Sequence, residues 1–427
     1  MKLRLIGSVS LVALSVGVFG CGSKEASEDT GEVSLEIFSW WTSGGEVEAL
    51  NAMLDVHRER YPNVKVTNAA EALAAKARDR LDERMADGLP PDTFQANVGA
   101  DQQRWVLFNE IDDTESKVES VDSLADAAGW RDVFPSQVTD ALSFDGKMYA
   151  VPVNIHRINS LFLNKHVFET EGLSAPTTLA ELETTAQTLD ERGYVGLTIG
   201  NKNNWTMQLF TFENMLPAVA GGDYYQSFWR GEKDPDDQQI TDTLAAVLRL
   251  WPYFNEDAND VDWGEALDKM MTGDKPAAMA VMGDWAKGYF VSKGWVPGVD
   301  FDQVPFPGSN GTFVFTADTF ALPKGAPHEA AARNLLDTFG SVEGQTAFNK
   351  IKGSIPVRGD INPEDFDPLG QKTFADFQSN ERVLAMSGLT PVGSIDDVAP
   401  AIKEMLNDSD PEVLLFALRN SYPALSR

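Results

Sequence analysis

Hydrophobic positions follow two rhythms from residue 33 onward. Val33-Ser-Leu-Glu-Ile-Phe-Ser39 alternates and then turns apolar, as a strand does. Glu46 to Arg60 carries Val47, Leu50, Leu54 and Val56 on or near one side of a helix. A second strand is expected at Asn63–Thr67, a helix over Ala69–Ala86 ended by Gly88 and Pro90, and a third strand over Thr93–Val98. Strands alternating with helices imply βαβ units and a mostly parallel sheet. From Phe144 the pattern changes: an Asp-Gly turn leads into a long extended run to Ile155 that continues through Ser160–Asn164, long enough to leave one lobe and enter another. Thr178-Leu-Ala-Glu181 spells a capping box. Further helices are expected at Ala266–Thr272 and Ala330–Phe339, and strands at Lys275–Met282 and Gly311–Thr316.

The N-terminus has a different pattern. Lys2 and Arg4 precede an apolar run from Leu5 to Phe19. The run is shorter than the roughly 20 residues that span a bilayer and has the layout of an export signal, residues 1–20. It ends at Val18-Phe-Gly-Cys21, which resembles a bacterial lipobox, so Cys21 is expected to be the lipidated N-terminus of the mature chain. Residues 21–32 are small, polar and acidic, as a flexible tether would be.

Composition narrows the function. The 427 residues suit two lobes rather than one core, and 43% hydrophobic with 23% charged residues is globular. A formal charge of −30 repels phosphates and argues against nucleic acid as a partner. The single cysteine excludes an internal disulfide. His57, His156, His166 and His328 show no metal-ligand spacing, so no metal is expected. Phosphate loop, dinucleotide fingerprint and nucleophile elbow are absent from the sequence, and no cofactor is expected.

Tryptophans beside polar or glycine-rich turns are present instead. Trp40-Trp41-Thr-Ser-Gly-Gly-Glu46 follows the first strand and opens the first helix, a junction that faces the ligand crevice of an open α/β sheet. Flat rings next to the Glu46 acceptor suit sugars, whose C–H faces pack on aromatics while their hydroxyls need polar partners, although at least one ring of the pair is expected to belong to the core. Gly283-Asp284-Trp285-Ala-Lys-Gly288 repeats the arrangement, with Asp284 placed either to cap a helix or to meet ligand. Trp263 and Trp205 are further ring candidates. Gln95 and Asn97 share one side of the third strand. His156 lies on the long extended run, Asp318 interrupts an apolar strand in Thr316-Ala-Asp-Thr-Phe320, and Lys352 precedes a second extended run.

These segments carry a resemblance. WWTSGGE at 40–46, PVNIHRIN at 152–159, FLNK at 162–165, PTTLAEL at 176–182, GDWAKGYF at 283–290, FTADTFAL at 315–322 and KGSIPVR at 352–358 are similar, in consistent order, to extracellular solute-binding proteins of bacterial ABC sugar importers, most of all the glucose- and mannose-binding group. The resemblance implies an α/β, two-lobed periplasmic-binding-protein fold, with a ligand cleft between lobes joined by crossing hinge strands. Residues 33–152 and 303–353 would form one lobe, and 153–302 and 354–427 the other. It implies a monomer that binds a sugar and no catalytic centre, a membrane permease as partner, a lipid anchor at Cys21, and a periplasmic or cell-surface location. Trp41 would stack on the sugar and Glu46 accept from its hydroxyls. Gln95 would lie beside it, Trp263 and Trp285 would form the second aromatic wall, and Asp318 and Lys352 would hold hydroxyls. Two positions depart: Asn97 and Ser387 stand where relatives carry histidine, and the lost donor widens the candidates to epimers or a disaccharide. The competing class is a secreted glycoside hydrolase using Glu46 with Asp318 or Asp284. Lys352 beside Asp318 argues against it, because a nearby cation disfavours an acid catalyst.

Overall fold

The computed structural model describes residues 32–42, 44–106, 115–391 and 398–425. The expected export signal, the tether and Cys21 lie outside these residues, Glu32 excepted. Among the described residues no helix is long and apolar enough to cross a membrane.

Two sheets organise the chain. The first runs, in order, Val64–Ala70, Val33–Ser39, Thr93–Asn97, Asp318–Pro323 and Val118–Glu119, with Val151–Pro152 also paired to Asp318–Pro323. Its first three strands are parallel, with the helix Gly45–Arg60 between the first two in sequence. Asp318–Pro323 pairs antiparallel with Thr93–Asn97 after the chain has passed through the other lobe. The second sheet runs Leu197–Thr198, Met279–Val281, Ser160–Asn164 and Phe301–Pro305, and only its first pair is parallel. The expectation of a mostly parallel sheet therefore holds for the first three strands of the first sheet; the other parallel pairs are isolated, Leu197–Thr198 with Met279–Val281 and Thr312–Thr316 with Glu381–Leu384.

Between the two lies a small sheet of Glu381–Leu384, Thr312–Thr316 and His156–Arg157. Alternation along Thr312–Thr316 sends Phe313 and Phe315 into the first lobe's core and Val314 into the second's. The long strand expected from 144 to 164 is thus a hairpin followed by three short strands, Val151–Pro152, His156–Arg157 and Ser160–Asn164, each in a different sheet. A second crossing segment is stitched to it, with Ile155 and Ile355 exchanging backbone hydrogen bonds of 2.7 and 3.1 Å.

The lobe borders differ from expectation in two places. Phe301–Pro305 belongs wholly to the second sheet, so a border at 303 would cut a strand. Ile355, Val357, Ile361, Phe366, Phe374 and Phe377 join the first lobe's core, where Phe377 meets Phe313 at 5.2 Å, while Val383, Ala385, Met386 and the helices from Val398 onward pack into the second. Local differences are smaller. The helix expected from Ala69 begins at Ala74, because Val64–Ala70 pairs along its whole length with the first strand. The helix expected at Ala266 begins at Trp263, where Asp262 and Glu265 form a capping box, and the Thr178–Glu181 box forms as expected.

The lobes touch through glycines. A Cβ on Gly45, in the first lobe, would lie 2.9 Å from the carbonyl of Gly288 on the second lobe's helix Trp285–Ser292. Gly99 similarly meets the backbone of Gly388.

Candidate functional site

Asp318 stands at the junction of the first sheet and the small one. It is opposite Asn97 in register, and Gln95 lies one step along the same face. The residue is 4% exposed and its carboxylate is fully engaged. Oδ1 accepts from Gln95 Nε2 at 2.8 Å, and Oδ2 accepts from Asn154 Nδ2 at 2.8 Å and His156 Nε2 at 3.1 Å. Asn154 also accepts from the Asp318 backbone N–H through Oδ1. Burial raises the carboxyl's pKa, but the hydrogen bonds from His156 and Asn154 and the charges of His156 and Lys352 outweigh it and hold the group at about 2. Asp318 is an anion at any physiological pH.

His156 links this carboxylate to a second one. Its Nδ1 bonds Asp284 Oδ1, while Asp284 Oδ2 accepts from the Arg157 backbone N–H at 2.8 Å. Burial disfavours the imidazolium and Lys352 opposes it, yet the charge of Asp284 and the bonds to both carboxylates raise the ring's pKa above its ordinary value. Asp284 is wholly buried and its side chain makes no cap for the helix Trp285–Ser292, which removes the capping alternative of the two the sequence left open. Trp285 is half-buried, with its ring edge-on to His156 at 5.3 Å and tilted to Trp205 at 6.2 Å.

The first turn of the helix Gly45–Arg60 supplies Glu46, which accepts from Lys352 Nζ at 2.7 Å. Glu46 lies at a helix N-terminus and Lys352 at the C-terminus of Val342–Lys352, so each charge is favoured by its own helix dipole. The tandem tryptophans separate. Trp41 is 1% exposed and packs on Phe320 at 5.6 Å and Phe348 at 5.2 Å. The stacking role implied for it is therefore not available in this structure: the ring is core, with Lys352 Nζ 5.6 Å from its centre. Trp40 is half-buried; its backbone N–H donates to Gln95 Oε1 at 3.2 Å, and the Arg78 guanidinium lies 5.8 Å from its ring. Trp263 meets Tyr289 at 5.2 Å, one turn along the Trp285 helix from the cluster. Asn97 is half-buried and its backbone N–H donates to Asp101. Ser387 sits in Met386–Leu389, beside the Gly99–Gly388 contact.

The structure thus joins Gln95, His156, Asp284, Trp285 and Asp318, sets Glu46 with Lys352 at Trp41, and leaves Trp263 on the flank. Asn154 was missed by the sequence reading. Its signal was there: in an extended run, residues 154 and 156 share a face. Among the described residues no group of three His, Cys, Asp or Glu is arranged to hold a metal.

Three comparisons bear on this geometry. A probable sugar-binding periplasmic protein of Rhizobium meliloti is 29% identical, covering 80% of this chain and 80% of that one. The fold matches a bacterial solute receptor with an exclusive preference for β-D-galactopyranose, at a TM-score of 0.80 and 18% identity over 93% of this chain and all of that one. An uncharacterised ABC transporter extracellular-binding protein of Pyrococcus horikoshii is 33% identical, covering 96% of this chain and 92% of its own. The model of the bacterial extracellular solute-binding proteins matches residues 43–346, and the chain belongs to that family.

Proposed function

We propose that this protein binds a sugar between its lobes, outside the cytoplasmic membrane, and delivers it to the permease of an ABC transporter. The ligand class is a monosaccharide such as glucose or mannose. One observation carries the reading: an ionised carboxylate, Asp318, is set where the first sheet meets the crossing strands, with Gln95, Asn154 and His156 as donors around it and the Trp285 ring beside it. Carboxylate and amides orient hydroxyls, and a ring packs the apolar face of a pyranose. Each of these groups already holds a partner, as do Glu46 and Lys352, so sugar hydroxyls would exchange for existing bonds. Sugar contacts on both sides of the glycine seam would favour the closed form, and the permease would read that form. Asn97 and Ser387, lying near the seam, are the positions where this chain selects its sugar. Export and anchoring through Cys21 would place it at the membrane.

Hydrolysis fits less well. An Asp318 held at about 2 is a poor proton donor, and Glu46 is tied to Lys352. The test is a fluorescence titration with monosaccharides and short oligosaccharides, with the sugar recovered afterwards. Saturable binding of an unchanged sugar supports the proposal; breakdown of the sugar, or no response to any of them, refutes it.

A further inference from the structure

The resemblance gives the carboxylate at 284 no role, and its position in a tryptophan-bearing turn reads as a sugar contact. The geometry points to something else: we infer that Asp284 is a positioning residue, which never touches sugar but holds the His156 ring against Asp318 and so ties the second lobe to the first lobe's sugar-facing carboxylate. The inference rests on the sugar-binding reading for its functional readout.

Three observations carry it. Asp284 has no exposed surface, and both its oxygens are used, Oδ1 by His156 Nδ1 and Oδ2 by the Arg157 backbone N–H. Both bonds run to one strand of the small sheet between the lobes, so a side chain fixed at the end of the second lobe's strand Met279–Val281 grips the crossing segment itself. On the far side of the ring, Nε2 meets Asp318, on the first lobe's sheet. The ring is therefore the middle of a bridge whose ends belong to different lobes.

The chemistry of the bridge depends on Asp284. A neutral imidazole has one N–H: with it on Nδ1 the ring serves Asp284 alone and Nε2 accepts from Asn154 Nδ2 at 2.9 Å, whereas the imidazolium serves both carboxylates. The charged groups around the ring are Asp284 and Asp318, which favour the imidazolium, and Lys352, which disfavours it but is itself paired with Glu46. Arg157, next in the chain, sends its guanidinium to Asp376 on the opposite face. In Asp284→Asn the side chain can still accept from the Arg157 N–H through its oxygen, and its NH₂ then faces Nδ1. That makes Nδ1 an acceptor, leaves the proton on Nε2 toward Asp318, and removes the reason for the positive charge. The bridge keeps its shape and loses its charge.

The experiment follows the ring and the sugar separately. The His156 side chain is titrated by nitrogen NMR in the wild type and in Asp284→Asn, with thermal melts to confirm folding, and sugar affinity is measured from pH 6 to 9. In the wild type the ring should remain doubly protonated above the ordinary histidine range, and affinity should fall as pH rises through its titration. In Asp284→Asn the ring should be neutral throughout, with affinity about tenfold weaker and flat across that range. Asp284→Glu should restore the charge and the pH dependence in part. If Asp284→Asn does not fold, His156→Gln is read instead, and it too should flatten the profile. An unchanged ring titration in Asp284→Asn, or a changed ring with unchanged affinity and pH profile, overturns the inference. If the wild type binds no sugar, the sugar reading fails, and the NMR titration alone still decides whether Asp284 sets the state of His156.

Discussion

Two buried carboxylates in this molecule have opposite fates. Asp318, at the junction of the lobes, is held at about 2. Glu213, in the second lobe's core, is pushed up to about 7. Both are desolvated, and desolvation is the largest influence on each. Asp318 overcomes it with an imidazolium, an ammonium and two side-chain amides. Glu213 lies on a π-helical turn, Leu209–Met215, and has only the Tyr225 hydroxyl at 2.5 Å and the Met386 backbone N–H at 3.2 Å, both neutral donors. Burial therefore does not make a carboxylate functional. The neighbours decide, and at the lobe junction charged and amide donors keep a full negative charge out of water.

Four substitutions break or sharpen this contrast. Asp318→Ala should have the largest effect, weakening sugar affinity about a hundredfold, because it removes charge-assisted acceptors and leaves the His156, Asn154 and Gln95 donors unpaired; calorimetry reads it directly. Trp285→Ala should cost about tenfold in affinity through lost apolar contact, and should lower the melting temperature because the ring also packs against the second lobe's core. Gly45→Ala, which drives a methyl against the Gly288 carbonyl, should weaken binding several-fold by disfavouring contact between the lobes, and solution scattering should show a larger radius of gyration with sugar present. Glu213→Gln should leave affinity unchanged and alter only stability against pH.

The sign of that last effect follows from linkage. Glu213 has a folded value above its unfolded one, so the stability it contributes is fully present below about 4.5 and is lost as pH rises to about 7. Glu213→Gln should flatten the denaturation midpoint across that window. Asp318 runs the other way: its contribution is present above about 4 and is lost as pH falls toward 2. A wild-type slope between 4.5 and 7 that survives Glu213→Gln would show that another group is responsible.

The sequence made much of the frame legible because local signals agreed with the tertiary structure. Alternation marked Val33–Ser39, and Thr178 with Glu181 marked a helix start that forms as written. Tandem tryptophans look alike in sequence, so a core ring at this pair was legible but its identity as Trp41 was not. Which of them is buried depends on Phe320 and Phe348, some 280 and 300 residues away. The role of Asp284 was hidden for a similar reason: a carboxylate before a helix reads as a cap or a ligand contact, and its partner His156 is 128 residues distant. Periodicity reports which face a residue occupies, and only the fold reports what stands opposite.

The most direct test of the account is a calorimetric titration of wild type and Asp318→Ala, side by side, with the sugar that the wild type binds best. The account predicts one-site binding to the wild type and affinity about a hundredfold weaker in the folded variant. Equal affinity in the two would place the sugar elsewhere and contradict the assignment of the lobe junction as the binding site.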